Sequence, residues 1–541
     1  MKKFFPILIL LIGIFFRIYR LGSVPPSPSL DEVSIGWNAY SILKTGKDEY
    51  GYRLPVLLRA YDDWRPALYV YLVIPFVKIL GLNIFSVRVP AVVLSLVTIL
   101  ATYFLTKELF LNSPLANKYA LIASALLAVS PWHIYLSRLG HEVGAGLAFS
   151  VLGLLFFLKF SFFLSALFFV LCLYTYQSQK IFTPLLLVFL AIIFQKELIK
   201  KWKSVLVIIF LVLILLFPLF QATFSSGGLA RARGASIFTN PPENYYQANE
   251  RILRDRINNW LLGRVFDNPR LTLAFYVFRA YFSHFDPVWL FFHKLEERHK
   301  VPSLGLFYLW ELPLILVGGY QMVKGKFSRK TKAIIFGWLL LGPLPAALAT
   351  QAPHGMRAIN MLPMVQIIAA VGVVSLMNKL RLRKNLTFAF IVMLFFISMG
   401  FFYHNYFFNF PYEQSDSFQY PLSQAIPYVL SIQNQYDKIV FSERGQLEQS
   451  YMFFLFFSKT DPIWYQKQGG TISGGFNQEH YFGKYEFRYI DWNKENQKPP
   501  TGKTLYVGNM LSAIPDLPEG VAGLKIFKLL DGREAIKIVA R

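Results

Sequence analysis

From Phe4 to about Phe402, apolar runs alternate with short polar or basic segments. At ~1.5 Å of rise per residue, about 20 apolar residues cover the ~30 Å hydrocarbon core of a bilayer. The pattern predicts about eleven spans, near 4–21, 89–106, 119–136, 143–158, 161–175, 181–195, 204–220, 303–322, 333–349, 361–378 and 386–402. One apolar run, 66–82, does not fit. It opens at Pro66, carries Pro75 and Lys78, stops at Gly81, and reaches only about 25 Å as a helix. If it crossed, the basic loops Lys196–Lys203, Lys324–Lys332 and Lys379–Lys384 would all lie outside. If it lies in the outer interface, all three fall inside, as the positive-inside rule requires. Segment 270–292, interrupted by Arg279, His284 and Asp286, reads as a second interfacial helix.

After about Tyr403 the pattern changes. Strand-like runs at 438–442, 504–508, 523–528 and 534–539 alternate with helical patterns at 421–433 and 446–458, with Gly-Gly turns at 469–470 and 474–475. This predicts a small α/β domain. The expected organisation is therefore a polytopic α-helical membrane portion, 1–402, and an extracytoplasmic α/β domain, 403–541. Lys2 and Lys3 before the first run place the N-terminus in the cytoplasm. Arg17 and Arg20, with no small-residue cleavage site after them, favour an uncleaved first span over a signal peptide.

Composition agrees. Of 541 residues, 55% are hydrophobic and 17% aromatic, and the mean hydropathy is +0.41. The net charge of +24 falls largely in short runs between spans, so it encodes topology and no nucleic-acid partner is expected. The single cysteine, Cys172, rules out an intramolecular disulfide and a Cys-based metal cluster.

The candidate chemistry gathers on the side expected to be outside. Just after the first span, Ser29 and Glu32 have the spacing of a capping box. That predicts a helix from Leu30 with two adjacent carboxylates, Asp31 and Glu32, in its first turn. In the bland reading, Glu32 caps the helix and Asp31 complements its dipole. The same side receives Asp62, Asp63 and Arg65; Arg138, His141 and Glu142; Lys180; His284; and His354 with Arg357. Carboxylates meeting cations at a membrane face suggest an acid–base centre beside an anion site.

With these residues in place, the chain resembles the GT-C fold glycosyltransferases, in particular bacterial relatives of protein O-mannosyltransferases and of the transferase that adds aminoarabinose to lipid A. The resemblance rests on the Asp31-Glu32 loop, Trp64-Arg-Pro-Ala-Leu-Tyr69, Gly81-Leu-Asn-Ile-Phe-Ser-Val-Arg-Val-Pro90, Tyr135-Leu-Ser-Arg138 and Pro353-His-Gly-Met-Arg-Ala-Ile-Asn360. It implies transfer of a sugar from a polyprenyl-phosphate donor to a protein, lipid or glycan acceptor on the extracytoplasmic face, with inversion. Asp31 would be the general base, Glu32 would orient the acceptor hydroxyl or cap the helix, and Glu142 would be a further acidic site residue. Arg65, Arg138, Lys180, His354 and Arg357 would hold the donor phosphate. The two interfacial helices would shape a groove for the prenyl tail among membrane lipids. Some members of the family use a divalent metal and others do not. Asp62 and Asp63 lack a partner spacing, so no obligatory metal is expected and a divalent ion stays open. The alternative is a lipid-linked oligosaccharide flippase or polymerase-type protein. A carrier of that kind would place polar residues at mid-span, whereas here they collect at one face.

Overall fold

The computed structural model describes residues 4–293, 299–379, 384–475, 478–497, 499, 502–512, 515–518 and 520–541. Most of the basic run Lys379–Lys384 lies outside the described residues. Helices stand in each expected span: Phe4–Ile18, Ile84–Leu109, Ala116–Val129 with Pro131–Ser137, Val143–Leu158, Phe162–Leu173, Gln179–Ile193, Trp202–Thr223, Glu311–Lys324, Arg329–Leu341, Met364–Lys379 and Lys384–His404. Only four helical stretches among the described residues are long and apolar enough to cross a membrane: Ile84–Leu109, Trp202–Thr223, Ile359–Lys379 and Ala389–Glu413. The pair Ala116–Val129 and Pro131–Ser137, bent by 58°, makes a fifth. That is fewer than the expected eleven, and the breaks have local causes. Ser130 caps a new helix with Pro131 at its first position, where a missing N–H costs nothing. The expected span 303–322 starts as a loop and turns helical only at Glu311.

The expected interfacial helix 66–82 is shorter, Leu68–Leu80. Pro66 does not open it but ends a strand. An antiparallel hairpin of β1 (Leu57–Ala60) and β2 (Asp63–Pro66), absent from the sequence reading, pairs Leu58 with Arg65. Segment 270–292 divides into Pro269–Ser283 and Pro287–Phe291, each started by a side-chain cap from Asn268 or Asp286. The chain has no break at 402. The helix Lys384–His404 continues through a π turn at Asn405–Asn409 into Phe410–Glu413.

The tail carries the four expected strands, β3 (Lys438–Ser442), β6 (Thr504–Asn509), β7 (Lys525–Lys528) and β8 (Glu534–Ala540), and two more, β4 (His480–Phe482) and β5 (Tyr485–Arg488). They form one mixed sheet in the order β4-β5-β3-β6-β8-β7, with β3 parallel to both neighbours. The helices Tyr420–Ile432 and Ser450–Ser458 match the predicted helical patterns. A buried cluster joins this domain to the membrane portion. It contains Val33, Ile35 and Trp37 from the first loop helix, Val70 and Val73 from Leu68–Leu80, and Ile439, Phe453 and Phe456 from the tail.

Candidate functional site

The helix Leu30–Thr45 forms as the capping box predicts. The Ser29 side chain accepts from the Glu32 N–H, Glu32 accepts from the Ser29 N–H, and Gly46 closes the other end in the left-handed region. The two carboxylates of its first turn have opposite surroundings. Glu32 is 1% exposed, and four donors converge on its two oxygens. Arg88 Nε and the Gly140 N–H each donate to Oε1 at 2.7 Å. The Ser29 N–H and Arg88 Nη2 donate to Oε2 at 2.8 and 3.1 Å. Gly140 is needed for this approach, because a Cβ there would stand 2.6 Å from Val87 Cγ1 and 3.2 Å from Glu32 Oε1. Burial works against the Glu32 charge, but Arg88 and the backbone donors outweigh it and hold the carboxyl below its ordinary range. Of its two expected roles, capping is the one its bonding leaves room for. Orienting an acceptor hydroxyl would require displacing one of these donors.

The Asp31 side chain, by contrast, is 46% exposed. Arg65 Nη2 lies 2.9 Å from Oδ1 and His141 Nε2 lies 3.6 Å from Oδ2. The hairpin β1–β2 delivers Arg65, and the Tyr61 hydroxyl ties that hairpin to the helix start by donating to the Leu30 carbonyl. His141 Nδ1 is 3.3 Å from Glu142 Oε2, so the imidazole bridges two carboxylates. Burial disfavours the imidazolium, but the Glu142 charge and the contact with Asp31 raise His141 above its ordinary value. Asp31, Arg65, His141 and Glu142 thus form one cluster with an open side at Asp31.

Tyr176 leads from this cluster to a second feature. Its ring meets that of His141 edge-on at 6.1 Å. It also lines a cavity of about 380 Å³ shared with Lys180, Thr223, Ser236, Ala349 and Arg357. Lys180 Nζ donates to Thr223 Oγ1 at 3.0 Å and Arg357 Nη1 to the Thr350 carbonyl. The cavity therefore holds two cations from different elements, with no carboxylate in its lining.

Three expected phosphate ligands do not line this cavity: Arg65, which pairs with Asp31, and Arg138 and His354. Arg138 is fully buried and donates to the Phe16 and Val24 carbonyls at 2.9 and 2.8 Å, with its guanidinium against the rings of Phe407 and Tyr406. It satisfies backbone carbonyls left open where the first helix ends. Its contacts are those of a structural tie between the first helix and the segment that follows it. His354 stacks on His299 at 4.5 Å. Burial, helped by His299, Arg357 and His284, pushes it down to about 2. In these surroundings the neutral imidazole is favoured, so the structure gives His354 no charge to offer an anion. The sequence reading assigned no role to Arg88 or Tyr176. A charge inside an apolar run, as at Arg88, is a signal that a buried partner exists; Tyr176 carries no comparable signal.

Among the described residues, no group of three or more His, Cys, Asp or Glu side chains is placed to hold a metal ion.

The fold is similar to that of the GT-C glycosyltransferases. ArnT from Cupriavidus metallidurans, bound to undecaprenyl phosphate, superposes with a TM-score of 0.54 at 8% identity, covering 99% of this chain and 97% of its own. Its apo form gives 0.52 at 10% identity over the same shares. The archaeal oligosaccharyltransferase AglB from Archaeoglobus fulgidus, in complex with an inhibitory peptide and a dolichol-phosphate, gives 0.50 at 14% identity, covering 84% of this chain and 63% of AglB. The chain thus spans less than two thirds of AglB. No family model and no curated protein sequence matches the chain.

Proposed function

We propose that this chain is an integral membrane glycosyltransferase that moves a sugar from a polyprenyl-phosphate carrier to an acceptor hydroxyl on the extracytoplasmic face, with inversion. The observation that carries the reading is Asp31, a half-exposed carboxylate held by Arg65 and His141 and joined through Tyr176 to a cavity holding Lys180 and Arg357. Asp31 takes the proton of the acceptor hydroxyl as that oxygen attacks the anomeric carbon. The bond from the anomeric carbon to the phosphate oxygen breaks, and the departing phosphate gains charge. Lys180 and Arg357 stabilise that charge where it develops. Arg65 and His141 hold the Asp31 carboxylate aligned between turnovers, and Glu142 orients His141.

An apolar groove of about 290 Å³ supports a lipid-linked donor. It lies among Phe157, Phe162, Phe169, Leu173, Leu187 and Leu213. The helices Gln179–Ile193 and Trp202–Thr223, which line it, also bring Lys180 and Thr223 to the cationic cavity. A phosphate in the cavity and a prenyl tail in the groove therefore fit one amphipathic molecule. The carriers in the ArnT and AglB structures, undecaprenyl phosphate and a dolichol-phosphate, belong to that class. Basic loops opposite the site support the extracytoplasmic assignment.

The test is Asp31→Asn, nearly isosteric but unable to accept the proton. Transfer of label from undecaprenyl-phosphate hexoses and pentoses to native membrane acceptors should fall by roughly 10²–10⁴, with donor binding intact. Wild-type turnover by Asp31→Asn would refute the assignment.

A further inference from the structure

The Asp31 helix is held more by the tail than by the hairpin beside it, and Glu49 is where the two parts meet. The Glu49 backbone N–H donates to Asn38 Oδ1 at 2.9 Å, and Asn38 Nδ2 donates back to Glu49 Oε1 at 3.0 Å. From the tail, the Tyr451 and Thr471 hydroxyls each donate to Glu49 Oε2 at 3.1 Å, and the Thr471 N–H donates to the Glu49 carbonyl at 3.1 Å. Glu49 is fully buried. Burial pushes its carboxyl up to about 7, opposed by the Asn38 hydrogen bond and aided by the neighbouring Asp48 charge. The donors that reach its side chain and carbonyl are neutral: one from the helix and three from the tail.

Contacts around this node run in the same direction. Trp37 Nε1 donates to the Thr460 carbonyl, and its ring meets Tyr465 edge-on at 5.2 Å. Gln466 Nε2 reaches Ser41, Thr45 and the Asp48 carbonyl. Gly36 lets the tail approach at close range, since a Cβ there would stand 2.6 Å from Phe456 Cε2. One face of the helix is thus fitted to the helices Ser450–Ser458 and Pro462–Lys467 and to the segment that leads on to Thr471.

We propose that the C-terminal domain is a brace that sets the angle of the Asp31 helix, with Glu49 as the positioning residue that couples them. The proposal rests on Asp31 being the base for its effect on rate, but the brace itself does not. Asn38 lies two turns beyond Asp31, about 10 Å along the helix. A tilt of about 10° at that point moves the carboxylate by roughly 2 Å, and displacements near 1 Å cost about 10²-fold in rate.

The full-length chain in nanodiscs is examined by amide hydrogen exchange over residues 33–45 and by kinetics with radiolabelled undecaprenyl-phosphate hexose. Glu49→Ala should raise exchange in that helix about tenfold and lower kcat by about 10- to 100-fold, with donor KM unchanged. Glu49→Gln, which can keep its one oxygen facing Asn38 Nδ2 and turn its NH₂ group toward the two hydroxyls, whose oxygens can accept in turn, should restore most of both. Tyr451→Phe, a milder change less exposed to folding failure, should fall between. If Glu49→Ala leaves exchange in 33–45 at the wild-type level, the brace is overturned. It is also overturned if exchange rises uniformly along the chain and Gln does not rescue it. If Asp31→Asn turns over normally while Glu49→Ala still loosens the helix, the brace stands and the catalytic reading of Asp31 falls.

Discussion

Replacing Glu32 by Gln should destabilise the fold substantially, although the capping box alone suggests a mild effect. Four donors meet two oxygens at 2.7–3.1 Å. In Gln, one oxygen becomes an NH₂ group, so in either orientation two buried N–H donors face another donor. Arg88, fully buried, loses its counter-charge, although the Leu21, Pro25 and Ser27 carbonyls still accept from it. An unmatched buried donor costs about 1–3 kcal/mol, and breaking a buried ion pair from one side costs about 3–5 kcal/mol. At ~2.1 cal/mol/K per residue, a chain of this length has an unfolding entropy of about 1.1 kcal/mol/K. If it melts as one unit, 4 kcal/mol shifts its midpoint by about 3–4 °C. The assay is the fraction of monodisperse protein remaining after heating in detergent, for Glu32→Gln, Arg88→Met and the double variant. The double variant should be less damaged than the two singles added together, because removing both partners leaves fewer unmatched groups. A Glu32→Gln midpoint within 1 °C of wild type, or simple additivity in the double variant, would refute the reasoning.

How much of this was legible in the sequence depended on the range of each interaction. The Ser29–Glu32 box and the strands β3, β6, β7 and β8 are local, and they stood where the pattern put them or close to it. The positions of the membrane helices were also readable, because apolar runs report burial in lipid or protein alike. Their lengths were not, because a break such as Ser130-Pro131 sits inside an apolar run and does not interrupt its composition. The hairpin β1–β2 was missed because its strands have four residues each and Pro66 also fits a helix start. For the site, sequence could find charged residues but could not sort them. Arg65 and Arg138 look alike as basic residues beside spans. Only the tertiary fold reveals that one faces a half-exposed carboxylate and the other satisfies a carbonyl of the first helix and one of the segment after it. Glu32 and Arg88 lie 56 positions apart, beyond any local rule, and their pairing removes Glu32 from the list of free carboxylates.

The same distinction yields the remaining predictions. Arg138→Lys cannot reach the Phe16 and Val24 carbonyls while filling the aromatic contact, so it should lower the melting midpoint yet leave activity per folded molecule and donor KM unchanged. A rise in donor KM would return Arg138 to the phosphate site. Arg65→Ala should reduce turnover strongly and Arg65→Lys retain a substantial fraction, since Lys keeps the charge beside Asp31 but loses the planar fork; equal activity of Ala and wild type would remove Arg65 from the site. The pH dependence of stability tests the bridge at His141. In the folded chain, burial opposes the imidazolium but Glu142 and Asp31 raise its pKa; unfolded, it returns to about 6.5. The protonated form is therefore favoured by folding. Its contribution is fully present below about pH 6.5 and is lost as pH rises through the raised folded value. Glu32 works in another window, because its lowered carboxyl contributes above the ordinary value near 4.5 and is lost only in acid. Between neutral and mildly alkaline pH the melting midpoint should fall in the wild type and fall less in His141→Gln. A midpoint that rises with pH in that window, or an identical slope in the two proteins, would mean that His141 does not carry the charge between Asp31 and Glu142.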